Sequence, residues 1–398
     1  MIAKIILWIV ALIIVPNLYI YWRFFIRRRK FRPSTLTYWI VPLIMVGYAV
    51  WLASARDFVP ANIEVLYLFL FLLAMLVVPG VLFMVCSMVG ACVKKITKSK
   101  SNWGNLVGLL LTIVVWVITI YGFTTGFNTI TVRHIEYHSA DLPERFDGYR
   151  MVQFSDAHLG TYGTWRQYVV EAFVDSILAQ RADVILFTGD LQDVMPMEIY
   201  PHVAQLSRLK ARDGVVAIMG NHDYPMYVNV GEEEKKKYLE ETEQIMRDLG
   251  WNLLLNSHTN IYRGDDTIVI AGMENDGDGI HFPQLGDVAK TLEGVSADST
   301  GLLSEEAKPF VVMLQHDPTG WRRKILSQST AQLTLSGHTH GGQFKMLGWS
   351  PASLAYSEWG GMYYEGERAL NVSTGVGGVV PFRFGLPGEI CVITLKKK

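Results

Sequence analysis

Carboxylate, amide and imidazole side chains recur in this sequence in short clusters, each just after an apolar run. Asp156 and His158 follow 151–155, Asp190 and Asp193 follow 184–188, and Asn221, His222 and Asp223 follow 216–219. His316 and Asp317 come after 310–315, and His338 and His340 come after 332–336. One His or Asp alone is more often a structural polar residue than a ligand. Five apolar runs that each deliver Asp, Asn or His at their exit describe a convergent metal site. Imidazole, carboxylate and amide oxygen with no thiolate suit Mn, Fe or Zn, and these donors leave the choice among them open. Within Asp-x-His and His-x-His the spacing is two residues, so a turn beyond the strand has to aim both side chains into one pocket. Glycines at 189, 220, 337, 341 and 342 permit such turns and let backbone approach a phosphate.

The runs that carry these clusters are short and rich in Val, Ile, Leu and Phe. The segments 151–155, 184–188, 215–219, 267–271, 310–314, 332–336 and 390–395 read as strands, mostly buried on both faces. Amphipathic stretches at 165–180, 202–209 and 232–249 read as helices between them. The last opens with Glu232, Glu233 and Glu234 followed by Lys235, Lys236 and Lys237, which suits the helix dipole and marks a solvated start rather than a binding patch. Alternating strands and helices imply an α/β architecture, with ligands at the carboxyl ends of strands.

Taken in order, Asp-x-His, Gly-Asp-x-x-Asp, Gly-Asn-His-Asp, the lone His316 and Gly-His-Thr-His resemble the five motifs of the calcineurin-like metallophosphoesterases, all intact. The extension Gly341-Gly342-Gln343, with Phe382-Arg383-Phe384-Gly385 and Pro387-Gly388-Glu389, is similar to a membrane-associated bacterial branch and to animal transmembrane proteins with a metallophosphoesterase domain. The resemblance covers about 128–398 and implies a four-layer α-β-β-α sandwich. It also implies two divalent ions, one on Asp156, His158, Asp190 and His340 and the other on Asp190, Asn221, His316 and His338, with Asp190 as the bridge. His222 is then the expected proton donor to the leaving group, with Asp223 holding its ring. Asp193 and Asp317 are either partners of the ligands or ordinary turn and capping residues. Arg383 either reaches a substrate phosphate or packs at the surface. His134, His138, His202, His258 and His281 lack such company and read as surface or structural.

The first third is a different text. Segments 2–22, 38–54, 65–92 and 106–127 are apolar enough and nearly long enough to span a bilayer, which predicts an all-α region of about four helices over 1–127 ahead of the domain at 128–398. The first segment is too long for a signal-peptide core and no small-residue cleavage site follows it. Pro16, Pro42 and Pro79 are tolerated kinks there. The spans hold almost no ionisable residue, which favours an anchor over a transporter or channel. Cys86, Cys92 and Cys391 read as buried, inert thiols with no disulfide framework. Six bases in 23–32 and four in 94–100 put those two loops in the cytoplasm, so both termini and the catalytic domain fall on the extracytoplasmic side of a multi-pass protein.

Charge divides the same way. Residues 1–127 hold 12 Lys/Arg against two acids, which leaves 24 of the chain's 36 bases and 35 of its 37 acids to the rest. A domain with that acidic excess is no polyanion binder, so nucleic acid is not an expected partner. The expected function is hydrolysis of a phosphate ester or anhydride by metal-activated water. The substrate is a phosphorylated small molecule or lipid, with a lipid-linked phosphodiester or pyrophosphate suggested by the tether. The alternatives are a phosphomonoesterase on a soluble substrate and a catalytically silent membrane scaffold. The loop 273–286 and the aromatic stretch 359–364 are candidates to face substrate.

Overall fold

The computed structural model describes residues 2–27, 33–54, 63–279, 282–295 and 309–398. The chain divides into two compact units, Met1–Thr124 and Thr125–Lys398.

The first unit contains helices α1 (Ile2–Tyr21), α2 (Ile40–Ser54), α3 (Ile63–Leu72), α4 (Val78–Thr97) and α5 (Trp103–Tyr121). A π turn at Leu73–Val77 joins α3 to α4, so the two form one apolar helix of 35 residues, Ile63–Thr97. Pro79, at the start of α4, lacks the N–H a regular helix would use there, which accounts for the break in register. With spans at Ile5–Ile26, Pro33–Ser54 and Trp103–Gly126, four helices among the described residues are long and apolar enough to cross a membrane. At 1.5 Å per residue the 35-residue helix is ~52 Å long, well beyond a ~30 Å hydrocarbon core. Its last turns, with Lys94 and Lys95, therefore have room to project into the headgroups. Ile13, Met45, Ala49, Leu52, Phe69 and Val77 pack inward, while Leu7, Trp8, Ile44 and Val117 are exposed, as lipid-facing positions require. Of the thiols expected to be buried, Cys92 is exposed and Cys86 half-buried on α4, because in an apolar bundle a thiol can face outward as readily as inward; Cys391 is buried.

The described residues of the second unit form twelve strands: β1 (Ile130–Ser139), β2 (Arg150–Phe154), β3 (Val184–Thr188), β4 (Val215–Ile218), β5 (Asn252–Leu253), β6 (Ser257–Arg263), β7 (Asp266–Gly272), β8 (Phe310–Leu314), β9 (Leu333–Ser336), β10 (Gly361–Glu365), β11 (Arg368–Val372) and β12 (Gly388–Lys397). They form two six-stranded sheets ordered β1-β12-β2-β3-β4-β5 and β10-β11-β9-β8-β7-β6. The centre of each sheet is parallel, β2 to β5 in one and β11-β9-β8-β7 in the other. Central strands are buried on both faces, which is why they read as continuous apolar runs.

Alternate residues of these strands serve two layers at once. Met151, Val184, Leu186, Val216 and Ile218 of the first sheet meet Ile268, Ile270, Val312, Leu314 and Leu335 of the second. On its outer face the first sheet turns Val152, Phe154, Ile185 and Phe187 against α6 (Gln167–Ala179) and α8 (Glu232–Asp248), with the short α7 (Val203–Leu206) between them in the chain. The second sheet turns Val269, Val311 and Met313 outward against Val288, Trp321 and Ile325. The order is therefore helix, sheet, sheet, helix. Removing Phe173 of α6, fully buried in the outer cluster, costs about 3–5 kcal/mol by the usual measure for a core Phe→Ala.

Candidate metal centre

The parallel strands β2, β3, β4, β8 and β9 all end at the same rim, and each expected site residue sits two to five positions past its strand. Regular backbone does not continue there. Asp156, His158, Asp190, His338 and His340 all have positive φ, from 45° to 73°. For residues with a Cβ this left-handed conformation costs about 1–3 kcal/mol each, and it persists only where the surroundings enforce it. Enforcement comes from close backbone approach. A Cβ on Gly337 would collide with Ser155 Oγ and Asp156 Oδ2, and one on Gly220 with Asp190 Oδ1.

Two sets of donors result. Asp156, His158, Asp190 and His340 each offer one atom in a group whose members lie within 4.8 Å of one another, and so do Asp190, His316 and His338. Asp190 belongs to both. Asn221 Oδ1 lies 2.7 Å from His338 Nδ1, which places the amide with the second set. Asp190 Oδ2 lies 3.1 Å from His316 Nε2 and 3.5 Å from His158 Nε2. Yet His158 Nε2, Asp190 Oδ2, His316 Nε2 and His340 Nδ1 are buried without a hydrogen-bond partner. Buried polar atoms are nearly always satisfied. Unpartnered imidazole nitrogens gathered around an unpartnered carboxylate oxygen fit divalent metal ions.

At His158 and His316 the other ring nitrogen is occupied, which orients the ring for a metal. His158 Nδ1 is 2.9 Å from Asp193 Oδ1, and His316 Nδ1 donates to the Thr188 carbonyl at 2.7 Å. His338 Nε2 is 2.8 Å from the Tyr356 hydroxyl and 3.4 Å from Asp317 Oδ2. Asp193 is therefore a ligand's partner. Asp317 is chiefly a cap, its Oδ1 accepting from the Thr319 N–H and hydroxyl.

Asp223 departs from expectation. It does not hold the His222 ring; its two oxygens accept from the backbone N–H groups of Asp190, Leu191, Gln192 and Gly220. One buried carboxylate thus ties the β3 exit to the β4 exit. The His222 ring is held instead by the Asp193 carbonyl, to which Nδ1 donates at 2.6 Å, and by Tyr227, whose ring lies 4.4 Å away at 31°. Tyr227 also accepts from Asn221 Nδ2 at 2.8 Å. Neither Tyr227 nor Tyr356 carries a motif, and sequence reasoning missed both.

Arg383 meets neither expectation. It is fully buried and donates to the carbonyls of Thr374, Gly375, Gly377 and Leu386, so it shapes the loop behind Asp156 rather than reaching substrate. That loop is the one whose Val376 and Gly377 N–H groups donate to the Ser155 and Asp156 carbonyls. Burial lowers the guanidinium to about 10.

The protonation pattern is that of a dry pocket crowded with both signs. Burial pushes Asp156 up, whereas for Asp190 the same burial is outweighed by His316 and His222, which hold it well below the carboxylate range. Burial alone would lower His316, but Asp190 and Asp156 raise it to about 9. Burial wins at His222, His338 and His340, all of which are lowered.

Of the remaining histidines, His134 and His138 are exposed on β1, His258 reaches the Thr291 carbonyl at 3.0 Å, and His202 is buried beside Tyr162; His281 lies outside the described residues. In the 273–286 loop, Asp276 is buried beneath Arg323 and Lys324, so its base is structural, while Phe282 packs 5.1 Å from His338. Trp359 accepts at its carbonyl from Thr339 Oγ1 at 2.6 Å, which joins the 359–364 stretch to the Gly-His-Thr-His turn.

A four-layer sandwich with carboxylate, amide and imidazole donors gathered at its strand exits defines a metallophosphoesterase. The chain belongs to the calcineurin-like phosphoesterases, whose family pattern matches residues 149–342. Residues 3–127 match the family described as "Probable Calcineurin-like phosphoesterase, transmembrane domain". An uncharacterized metallophosphoesterase of Bacillus subtilis, YkuE, is 32% identical over 290 residues, covering 69% of this chain and 90% of the relative. A zebrafish transmembrane protein with metallophosphoesterase domain is 28% identical over 300 residues, or 73% of this chain; the match spans 62% of the zebrafish protein's length. Among solved structures, a dimetal phosphatase from zebrafish is similar at 12% identity and a TM-score of 0.32, over 59% of this chain and 89% of that one.

Proposed function

We propose that this protein is a membrane-anchored hydrolase of phosphate esters or anhydrides whose centre takes two divalent ions. Asp156, His158, Asp190 and His340 would hold one ion, and Asp190, Asn221, His316 and His338 the other. The observation that carries this reading is the set of buried, unpartnered donors converging on Asp190. When bound, such a pair supplies charge for the phosphoryl oxygens and a water acidic enough to attack at neutral pH.

The chain's own groups do the rest. With Nδ1 donating to the Asp193 carbonyl, His222 has only Nε2 to turn to the substrate; burial keeps the ring neutral, so Nε2 takes up a proton, forming the imidazolium, before passing it to the leaving oxygen. Tyr227 fixes the plane of that ring and, through Asn221, couples it to the second donor set. Asp223 holds the Asp190 and Gly220 backbones at the spacing the shared carboxylate needs. The apolar spans keep the domain at a bilayer. Basic loops at 23–32 and 94–100 favour an extracytoplasmic site, and the tether favours a lipid-linked phosphodiester or pyrophosphate. The acidic excess of the domain disfavours nucleic acid.

The test is turnover by the full chain, reconstituted in lipid with Mn, over aryl phosphate monoesters and diesters, nucleotides and lipid pyrophosphates. Hydrolysis of at least one class is expected, abolished by Asp190→Ala with the fold retained. Failure on every class would refute the reading.

A further inference from the structure

We propose that the helical unit carries a headgroup site for an anionic phospholipid, formed where the ends of α1 and α4 meet. A cavity of about 660 Å³ opens there, lined by Arg23, Arg27, Lys94, Lys95 and Lys98 with Ala91 and Ser99. Five of its seven lining residues are cationic and none is acidic. Only two acids lie in 1–127, Asp57 and Glu64, and neither lines it. Among the described residues none of the five pairs with a carboxylate, and Arg23 Nε is buried with no hydrogen-bond partner.

The cations are held together by the fold. Tyr19, one turn before Arg23, bonds Ser87, one turn before Ala91, at 2.8 Å between hydroxyls. Ser87 donates in turn to Asn105 at 2.7 Å, and Asn102 Nδ2 donates to the Ser87 carbonyl at 3.0 Å, which fixes α5 against α4. Gly90 and Gly104 let those helices touch, since a Cβ on Gly104 would strike the Cys86 carbonyl. Lys98 takes a left-handed φ of 54° at the end of α4, turning the chain back so that Ser99 closes the rim. Arg27 lies over the Trp22 ring at 5.5 Å, an aromatic placed for the interface.

The positive-inside rule accounts for bases in these loops. It does not account for their convergence on one cavity, where mutual repulsion is unrelieved by any acid. A phosphate relieves it, and basic pockets between helices at a membrane face take phospholipid headgroups. The volume suits one headgroup. The same chemistry would accept free phosphate, but the apolar helix flanks favour a ligand with acyl chains.

The experiment uses the full chain in phosphatidylcholine nanodiscs titrated with fluorescent phosphatidylglycerol, with native mass spectrometry counting retained lipids. Saturable binding of one phosphatidylglycerol is expected, and Lys94→Gln/Lys95→Gln/Lys98→Gln should weaken it about a hundredfold. Lys100→Gln, outside the cavity, should change it little. Equal retention of phosphatidylcholine, an unaffected triple variant, or an equal loss in Lys100→Gln would overturn the proposal. So would binding of inorganic phosphate at concentrations where the lipid does not bind. If the triple variant fails to fold, selectivity of the unaltered chain for phosphatidylglycerol decides alone. Hydrolysis by the other unit enters none of these readouts.

Discussion

At the scale of single residues, the ligand types were legible because metal chemistry restricts them, whereas their partners were not. Nothing in the sequence separates Asp193, bound to a ligand ring, from Asp317, mostly a cap, or marks Tyr227 and Tyr356. Asp223 was misassigned because adjacency to His222 suggested contact, while its side chain turns back to four backbone N–H groups. The two neighbours should therefore fail differently. His222→Ala should lower kcat about 10²- to 10⁴-fold with metal content unchanged, measured by steady-state kinetics and elemental analysis. Asp223→Ala strands buried donors, so it should cost about 3 kcal/mol or more, seen as a lower melting temperature together with lost metal. Arg383→Met leaves several buried carbonyls unsatisfied and should also cost about 3 kcal/mol, even though no substrate touches it.

At the scale of elements, the central strands were legible as apolar runs, and all seven predicted segments are strands. The pairing that closes each sheet was less so. β1, Ile130 to Ser139, was not legible as a strand because its alternation slips at Arg133-His134, and it pairs in parallel with β12 from the far end of the chain, a partner no local pattern reveals. β5 has only two residues, and β10 and β11 follow a loop whose glycines blur their limits. Least legible of all were the left-handed turns at five of the seven expected ligands, since positive φ outside glycine leaves no trace in composition. Those turns depend on small neighbours. Gly337→Ala should push Asp156 aside and reduce metal affinity at least about tenfold, with the unfolding transition only modestly shifted; metal titration by calorimetry separates the two effects.

At the scale of the molecule, two texts of opposite charge became two units, and the helical unit brings Arg23, Arg27 and Lys94 to one cavity. A protease-cleavable tag at Lys398 should be cut in right-side-out vesicles and protected in inverted ones. Acid should also weaken the second unit through one buried imidazole. Burial lowers His202 to about 4 from its ordinary 6.5. The folded chain therefore binds fewer protons than the unfolded chain across that window. Stability from the neutral ring is complete above about 6.5 and falls by up to ~3 kcal/mol as pH drops to 4. In metal-free protein, His202→Gln should flatten the melting temperature between those values. The central claim, a two-ion centre bridged by Asp190, is tested most directly by counting metal per chain in the purified, Mn-loaded protein and in Asp190→Ala. About two equivalents in the first and a loss of both, or of all but a weakly held one, in the second are predicted. A single equivalent that survives in Asp190→Ala would contradict it.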